Sequence, residues 1–249
     1  MKISTDGYSV RDIEFWDAFS RGRANDSDAE KIVLSAIEAG VNLNQGDKNG
    51  ETPLMKAVIN GYFGFIKALI EHGADLEYAS VNHRTALVLA VDYDRIEIIR
   101  YLIDAGAEVN PPVQTSPLVS SVYNSYASTE ILLEAGAHVD HQSVGGMTAV
   151  ACAAISNNLH SLNLLIRYKA NLEIEGSLGR TPLLAAAQKH NLSCIAALLD
   201  AGAVWRDEYN KKIKPSVINF VLKRQAIKIA EEIGSELHVE TNKMPKVRL

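Results

Sequence analysis

The chain has 249 residues, of which 47% are hydrophobic, 22% charged and 6% aromatic, with 16 Gly and 7 Pro, and this excludes a collagen-like or mainly disordered polypeptide. Lys and Arg number 25 against 30 Asp and Glu, a net charge of -5 without the basic excess that duplex-binding proteins use to neutralise phosphate, so no nucleic-acid partner is expected. Cys152 and Cys194 both lie in apolar helical contexts, which suggests neither a disulfide framework nor a thiolate metal cluster and fits a reducing compartment.

At the start of the chain, Asp6, Arg11, Asp12 and Glu14 interrupt the apolar run that a secretory signal requires. No stretch reaches the ~18 consecutive apolar residues of a membrane span. The expectation is a soluble, cytoplasmic protein. The first helical patterns run over 12–21 and 28–39, separated by a link around 21–27. From there the sequence repeats itself. EAGVNLN at 38–44 returns as EHGADLE at 71–77, DAGAEVN at 104–110, EAGAHVD at 134–140, RYKANLE at 167–173 and DAGAVWR at 200–206. The anchors Gly40, Gly73, Gly106, Gly136, Lys169 and Gly202 are 33, 33, 30, 33 and 33 residues apart.

A second phrase is locked to the first: TPLMKAV from Thr52, TALVLAV from Thr85, SPLVSSV from Ser116, TAVACAA from Thr148 and TPLLAAA from Thr181. The Thr or Ser hydroxyl can accept from the free N–H groups of a first helical turn, and Pro53, Pro117 and Pro182 stand where no N–H is needed. Each phrase therefore predicts a helix start. A turn at Asn60-Gly61, Asp94, Asn157-Asn158 or His190-Asn191 leads to a second helix with apolar residues at helical spacing, such as Phe65, Ile66, Leu69 and Ile70. A cap glycine then ends it.

This two-part signature resembles the ankyrin repeat, most clearly in NGETPLMKAVINGYFGFIKALIEHGADLE at 49–77, and the resemblance covers about residues 10–236. It implies an all-α ankyrin-repeat solenoid of stacked helix-turn-helix units with projecting β-hairpin-like loops. The expected organisation is a single domain over 1–236, with an N-terminal cap at 10–44, repeats at 45–77, 78–110, 111–140, 141–173 and 174–206, and a C-terminal cap at 207–236. That last cap is expected as a helical pair, 216–224 and 225–233, with Lys223, Arg224, Lys228, Glu231 and Glu232 as its wet face. A flexible tail over 237–249 follows.

The sequence departs from the family pattern in three places. The usual His after Thr-Pro-Leu is replaced by Met55, Val88, Val119, Ala151 and Leu184, so apolar packing stands in for a polar network. The third repeat is short twice: Gly106 to Ser116 is 10 residues against 12 elsewhere, and Ser116 to Gly136 is 20 against 21. Its loop holds Pro111-Pro112, which breaks the row of loops. The fourth repeat carries Tyr168-Lys169 where a cap glycine is expected, and this reads either as drift at an exposed cap or as a different turn.

Chemistry is hard to find. The seven histidines are dispersed along the repeats, and only His138 and His141 lie close together, beside Asp140, at ordinary variable positions. No GxxxxGK[ST] or GxGxxG loop occurs, and Ser143-Val144-Gly145-Gly146-Met147 occupies the usual repeat loop. Cys152 sits inside ACAA, where small residues serve helix stacking. No enzyme activity, metal or cofactor is expected.

The resemblance implies a binding module whose concave side, made of loop tips and the exposed face of each first helix, meets a protein partner. Those positions are Lys48, Asn49, Glu51, Ile59 and Asn60 in the first repeat, then Val81, Asn82, Arg84, Asp92 and Tyr93, then Thr115, Tyr123 and Asn124. The fourth repeat gives Val144, Met147, Ile155 and Ser156, and the fifth gives Ser177, Leu178, Arg180, Gln188 and Lys189. Tyr93 and Tyr123 are the candidate anchors, because Tyr is enriched where binding energy concentrates. Residues 1–51 carry a net -4 and residues 207–249 a net +3, a polarity that would orient a partner. A protein that is a monomer when free fits three roles: an adaptor, a dedicated inhibitor such as a bacterial immunity protein that blocks a toxin, or a secreted bacterial effector.

Overall fold

A computed structural model describes residues 27–112, 115–176, 178–211 and 213–243. They fall into two compact units, the first ending at Val144 and the second beginning at Gly145. Within each unit helical hairpins stack on copies of themselves. The first unit contains α1 (Ser27–Glu38), α2 (Pro53–Asn60), α3 (Phe63–Glu71), α4 (Ala86–Asp92), α5 (Ile96–Asp104), α6 (Pro117–Asn124) and α7 (Tyr126–Glu134). In the second are α8 (Ala149–Ile155), α9 (Leu159–Arg167), α10 (Pro182–Lys189), α11 (Leu192–Asp200), a 3-10 turn (Asp207–Lys211) and α12 (Pro215–Lys243). No strand occurs among the described residues. The helix expected over 12–21 lies outside them.

Every first helix starts as its sequence requires. The hydroxyls of Thr52, Thr85, Ser116, Thr148 and Thr181 accept from the N–H three residues on, at 3.3, 3.4, 3.4, 3.2 and 3.3 Å. These helices are the core. In α4 every residue from Ala86 to Val91 is buried, and in α8 every residue from Ala149 to Ala154. α4 packs between α2 and α6 in the first unit, and α8 packs against α10 in the second. Small residues along α8 and α10 let these two approach closely.

The turn between helices needs one residue in left-handed backbone. Gly61 (φ 74), Asp94 (φ 49), Asn157 (φ 57) and His190 (φ 63) supply it. The third repeat omits that residue, which accounts for one of its missing positions. Ser125 is extended (φ -153, ψ 140), closes α6 and opens α7, and its hydroxyl accepts from the Ala127 N–H at 3.2 Å. Its interior is also more polar than the others. Ser121 Oγ and Thr129 Oγ1 lie 3.0 Å apart, both fully buried, at positions where other repeats place Ala and Ile or Leu.

Lys169 keeps the turn that glycine makes elsewhere. Its φ of 63 is left-handed, its N–H donates to the Ile166 carbonyl at 2.9 Å, and the Ala170 N–H donates to the Leu165 carbonyl at 3.1 Å. The same bonds close α3, α5, α7 and α11 around Gly73, Gly106, Gly136 and Gly202. Adjacent repeats are tied by the residue that ends each phrase. Asn44 accepts from the Asp75 N–H at 2.8 Å, Glu77 from Glu108 at 2.7 Å, and Asn110 from His138 at 2.7 Å; in the second unit Glu173 accepts from Val204 at 2.9 Å.

The C-terminal cap differs from the expected pair. One helix, α12, runs unbroken over 29 residues, through Gly234 and into the segment expected as a tail. The physical reason is the missing turn: residues 216–233 contain no Gly, Pro or Asn-Gly break where the other hairpins reverse, so nothing stops the helix. Residues 244–249 lie outside the described structure.

Candidate functional site

Three of the loops are hydrogen-bonded fingers. In the first, the Asp47 N–H donates to the Glu51 carbonyl at 3.0 Å and the Gly50 N–H to the Asp47 carbonyl at 2.8 Å. Ser80 with Arg84 (3.0 Å) and His83 with Ser80 (2.8 Å) repeat this pattern, as do Gly176 with Arg180 (3.1 Å) and Gly179 with Gly176 (2.8 Å). This exchange makes the loops hairpin-like without strands. The residue before the closing bond is left-handed in all three: Gly50, His83 and Gly179. One of the seven histidines is thereby accounted for as a turn residue, and His190 is a second.

In the first unit neighbouring fingers touch. The Val81 N–H donates to the Asn49 carbonyl at 3.2 Å, and Thr115 Oγ1 donates to the His83 carbonyl. Asp47 organises the first tip, accepting from the N–H groups of Asn49 (2.8 Å) and Glu51 (3.0 Å), and Lys56 bridges Asp47 and Glu51 from below. Burial pushes the Asp47 carboxyl up, but these two N–H groups and Lys56 together hold it below the ordinary carboxylate range. Lys48, Asn49, Asn82 and Arg84 are exposed on the tips, with Glu51 and Thr115 half-buried beneath them.

The ends of the first helices lie alongside. Asp92 is half-buried, and burial raises its carboxyl above the ordinary value against the opposing pull of Arg84 at 3.1 Å. Two predicted contact residues are thus already paired with each other. Asn124 gives its amide N–H groups to the Val91 (3.2 Å) and Ser120 (3.1 Å) carbonyls, and Asn60 donates to Lys56 at 2.9 Å. These two asparagines tie helix ends as well as facing solvent. Tyr93 is 47% exposed and Tyr123 57%.

In the second unit the fingers and first helices enclose a shallow cavity of about 260 Å³, with Met147, Ala151, Ile155, Leu178, Arg180 and Ala185 among its walls. Its floor is Ala151 and Ala185, small residues where the other repeats carry mostly larger ones, so the space follows from side-chain size. Leu178, 72% exposed, lines this cavity together with Arg180. Ser156, Gln188 and Lys189 stand at the ends of α8 and α10, exposed or half-buried. Ser177 lies outside the described residues.

Among the described residues, no group of three or more His, Cys, Asp or Glu is placed to share a metal ion. Cys152 and Cys194 are buried and form no disulfide, and burial pushes the Cys194 thiol up, away from the reactive thiolate. Reading the sequence missed the cavity, whose alanines look like ordinary helix residues, and the exposed aliphatics of α12, whose orientation no spacing reveals.

A family model described as ankyrin repeats (3 copies) matches residues 23–112 and 117–211; the gap between the matches falls in the short third loop. The human ASB11 ankyrin repeat domain has a similar crystal structure, with a TM-score of 0.70 and 25% sequence identity over 84% of this chain and 96% of that one. The ankyrin repeat domain of Bcl-3, a member of the IkappaB protein family, matches with a TM-score of 0.60 and 26% identity over 67% of this chain and 76% of that one.

Proposed function

The chain belongs to the ankyrin-repeat family, whose members are generally protein–protein interaction modules, and we propose that it binds a partner protein, without catalysis, through its loop tips and the exposed ends of its first helices. One observation carries this reading. The three most exposed large aliphatic side chains among the described residues, Val81 (63%), Val144 (63%) and Leu178 (72%), all stand on loop tips, at corresponding or neighbouring positions of different repeats. Exposing them to water is unfavourable by roughly 25 cal/mol per Å² of apolar surface, a cost that a docked partner removes. Tyr93 and Tyr123 add two aromatic groups on the adjacent helix ends of the first unit. The repeats at 45–77, 78–110, 111–140, 141–173 and 174–206 are the binding units of this proposal.

The fingers hold their shape through internal hydrogen bonds, so little ordering entropy is lost on docking. Cys152 and Cys194 are buried and form no disulfide, which supports a reducing, cytoplasmic setting. No helix among the described residues is long and apolar enough to cross a membrane.

The test begins with affinity capture from the native source, followed by binding measurements with the purified captured protein. Tyr93→Ala combined with Tyr123→Ala, and separately Leu178→Asp, should each weaken binding at least about tenfold. The thermal midpoint should stay close to that of the parent, because all three side chains are exposed. Unchanged affinity in both variants would sink the proposal. A collapsed midpoint would show these residues to be structural.

A further inference from the structure

Arg84 and Arg180 occupy the same place in two repeats, each just before the capping threonine of a first helix, Thr85 and Thr181. In the second repeat Arg84 reaches Asp92, seven residues beyond Thr85, at 3.1 Å. In the fifth repeat the corresponding position, seven residues beyond Thr181, holds Gln188. Other cations of the second unit are engaged. Arg206 pairs with Glu173 at 3.4 Å and Glu175 at 2.6 Å, which takes both carboxylates of the neighbouring finger. Arg224 donates to Asp200 through Nε at 3.1 Å and through Nη2, and Lys228 Nζ donates to the Leu199 carbonyl at 3.3 Å. Among the described residues Arg180 meets no carboxylate.

Side-chain volume is missing at the same place. Ala151 and Ala185 correspond by register to Met55 and Leu89, which the first unit buries to 1% and 2% exposure. Two alanines in their stead leave the cavity of about 260 Å³, and Arg180 is the one charged residue among its described walls. Lys189 follows Ala185 by one helical turn, on the same side of α10, and is exposed. Residues 145–156, which supply the opposite wall, contain no acid and no base. The fifth repeat therefore lacks two groups that the second supplies from within, an aliphatic side chain at Leu89 and a carboxylate at Asp92. An aliphatic group gains by leaving water for such a space, and a carboxylate matches the planar fork of an arginine.

We propose that this cavity takes an acidic segment of the partner protein: a leucine- or methionine-sized side chain enters over Ala151 and Ala185, and an Asp or Glu within three residues of it pairs with Arg180. The two groups stand in for Leu89 and Asp92, which are themselves three residues apart. This selectivity rests on the loop-tip reading above, of which the cavity is the second-unit part.

Selection of displayed random heptapeptides on the immobilised full chain tests it. The enriched peptides should carry Leu, Ile or Met within three positions of Asp or Glu. Titration of a synthetic copy should show affinity falling at least about tenfold when its acid is changed to the amide, and likewise when its aliphatic residue is changed to alanine. On the protein, Gln188→Asp gives Arg180 an internal carboxylate and Ala185→Leu refills the floor as Leu89 does; each should weaken the same peptide by a similar factor. Gln188 is half-buried at the end of α10, so its variant keeps the test open should Ala185→Leu overpack the site and lower the thermal midpoint. Enriched peptides that are basic, or apolar without an acid, overturn the proposal. So does a failure to enrich any peptide over a chain carrying both substitutions, or a peptide that parent and both variants bind equally. The captured partner separates the two readings: affinity lost in Tyr93→Ala with Tyr123→Ala but kept in Gln188→Asp and Ala185→Leu would leave the loop-tip surface standing and remove the cavity from it.

Discussion

At Lys169 the backbone makes a turn that suits a residue without a Cβ, and the lysine tolerates it because its side chain is exposed and the two closing hydrogen bonds remain. The left-handed conformation costs a side-chain-bearing residue about 1 kcal/mol, partly offset by the greater freedom glycine has when unfolded. Lys169→Gly should therefore raise stability by roughly 0.5–1 kcal/mol in denaturant titration, with no change in the slope against denaturant. An unchanged or lowered midpoint would mean that the lysine contributes something its contacts do not explain. The cap was half legible in the sequence. Register located it, because five glycines mark the same place, but the residue type left open whether the turn persisted. Hydrogen-bond closure settles it, since Ile166 and Leu165 present the same carbonyls whatever stands at 169.

The short third repeat shows what an element needs in order to reverse. Four hairpins insert a left-handed residue between helices; this one dispenses with it, and Ser125 serves as the last cap of α6 and the first of α7. Ser125→Ala removes the hydroxyl that accepts from Ala127, and should cost about 1 kcal/mol. Ser156→Ala, at the exposed end of α8, should cost less than half as much, because that hydroxyl donates to a carbonyl already bonded within the helix. Equal losses in thermal or chemical denaturation would contradict the double role. From sequence the deletion was visible as a spacing of 20 in place of 21, yet its location was not, since a missing residue leaves no letter. Helix α12 is the complementary case. No turn signal occurs over 216–233, and this outweighs the helical pairing that the other repeats follow. Its orientation was beyond reach, because Lys223, Arg224 and Lys228 give no sign of which of them pack until Asp200 and the Leu199 carbonyl are in place.

For the molecule as a whole, the repeat was legible because the same backbone requirements recur near every 33 residues: a hydroxyl to cap, a residue that tolerates left-handed φ, and an acceptor such as Asn44, Glu77 or Glu173 to reach the next repeat. The proposed binding surface is less legible for the converse reason. Tip residues satisfy no local rule, so Val81, Val144 and Leu178 read like any variable positions until their exposure is known. Some positions chosen by register also serve the fold, among them Asn124 on the Val91 carbonyl and the pair Arg84 and Asp92. A protein partner docked on the tips and first-helix ends should protect them in amide hydrogen exchange, measured on the chain alone and with its captured partner. Exchange is expected to slow over 47–51, 80–84 and 176–180 and at the ends of α4 and α6. Slowing confined to α3, α5, α9 and α11, with the tips unchanged, would contradict it.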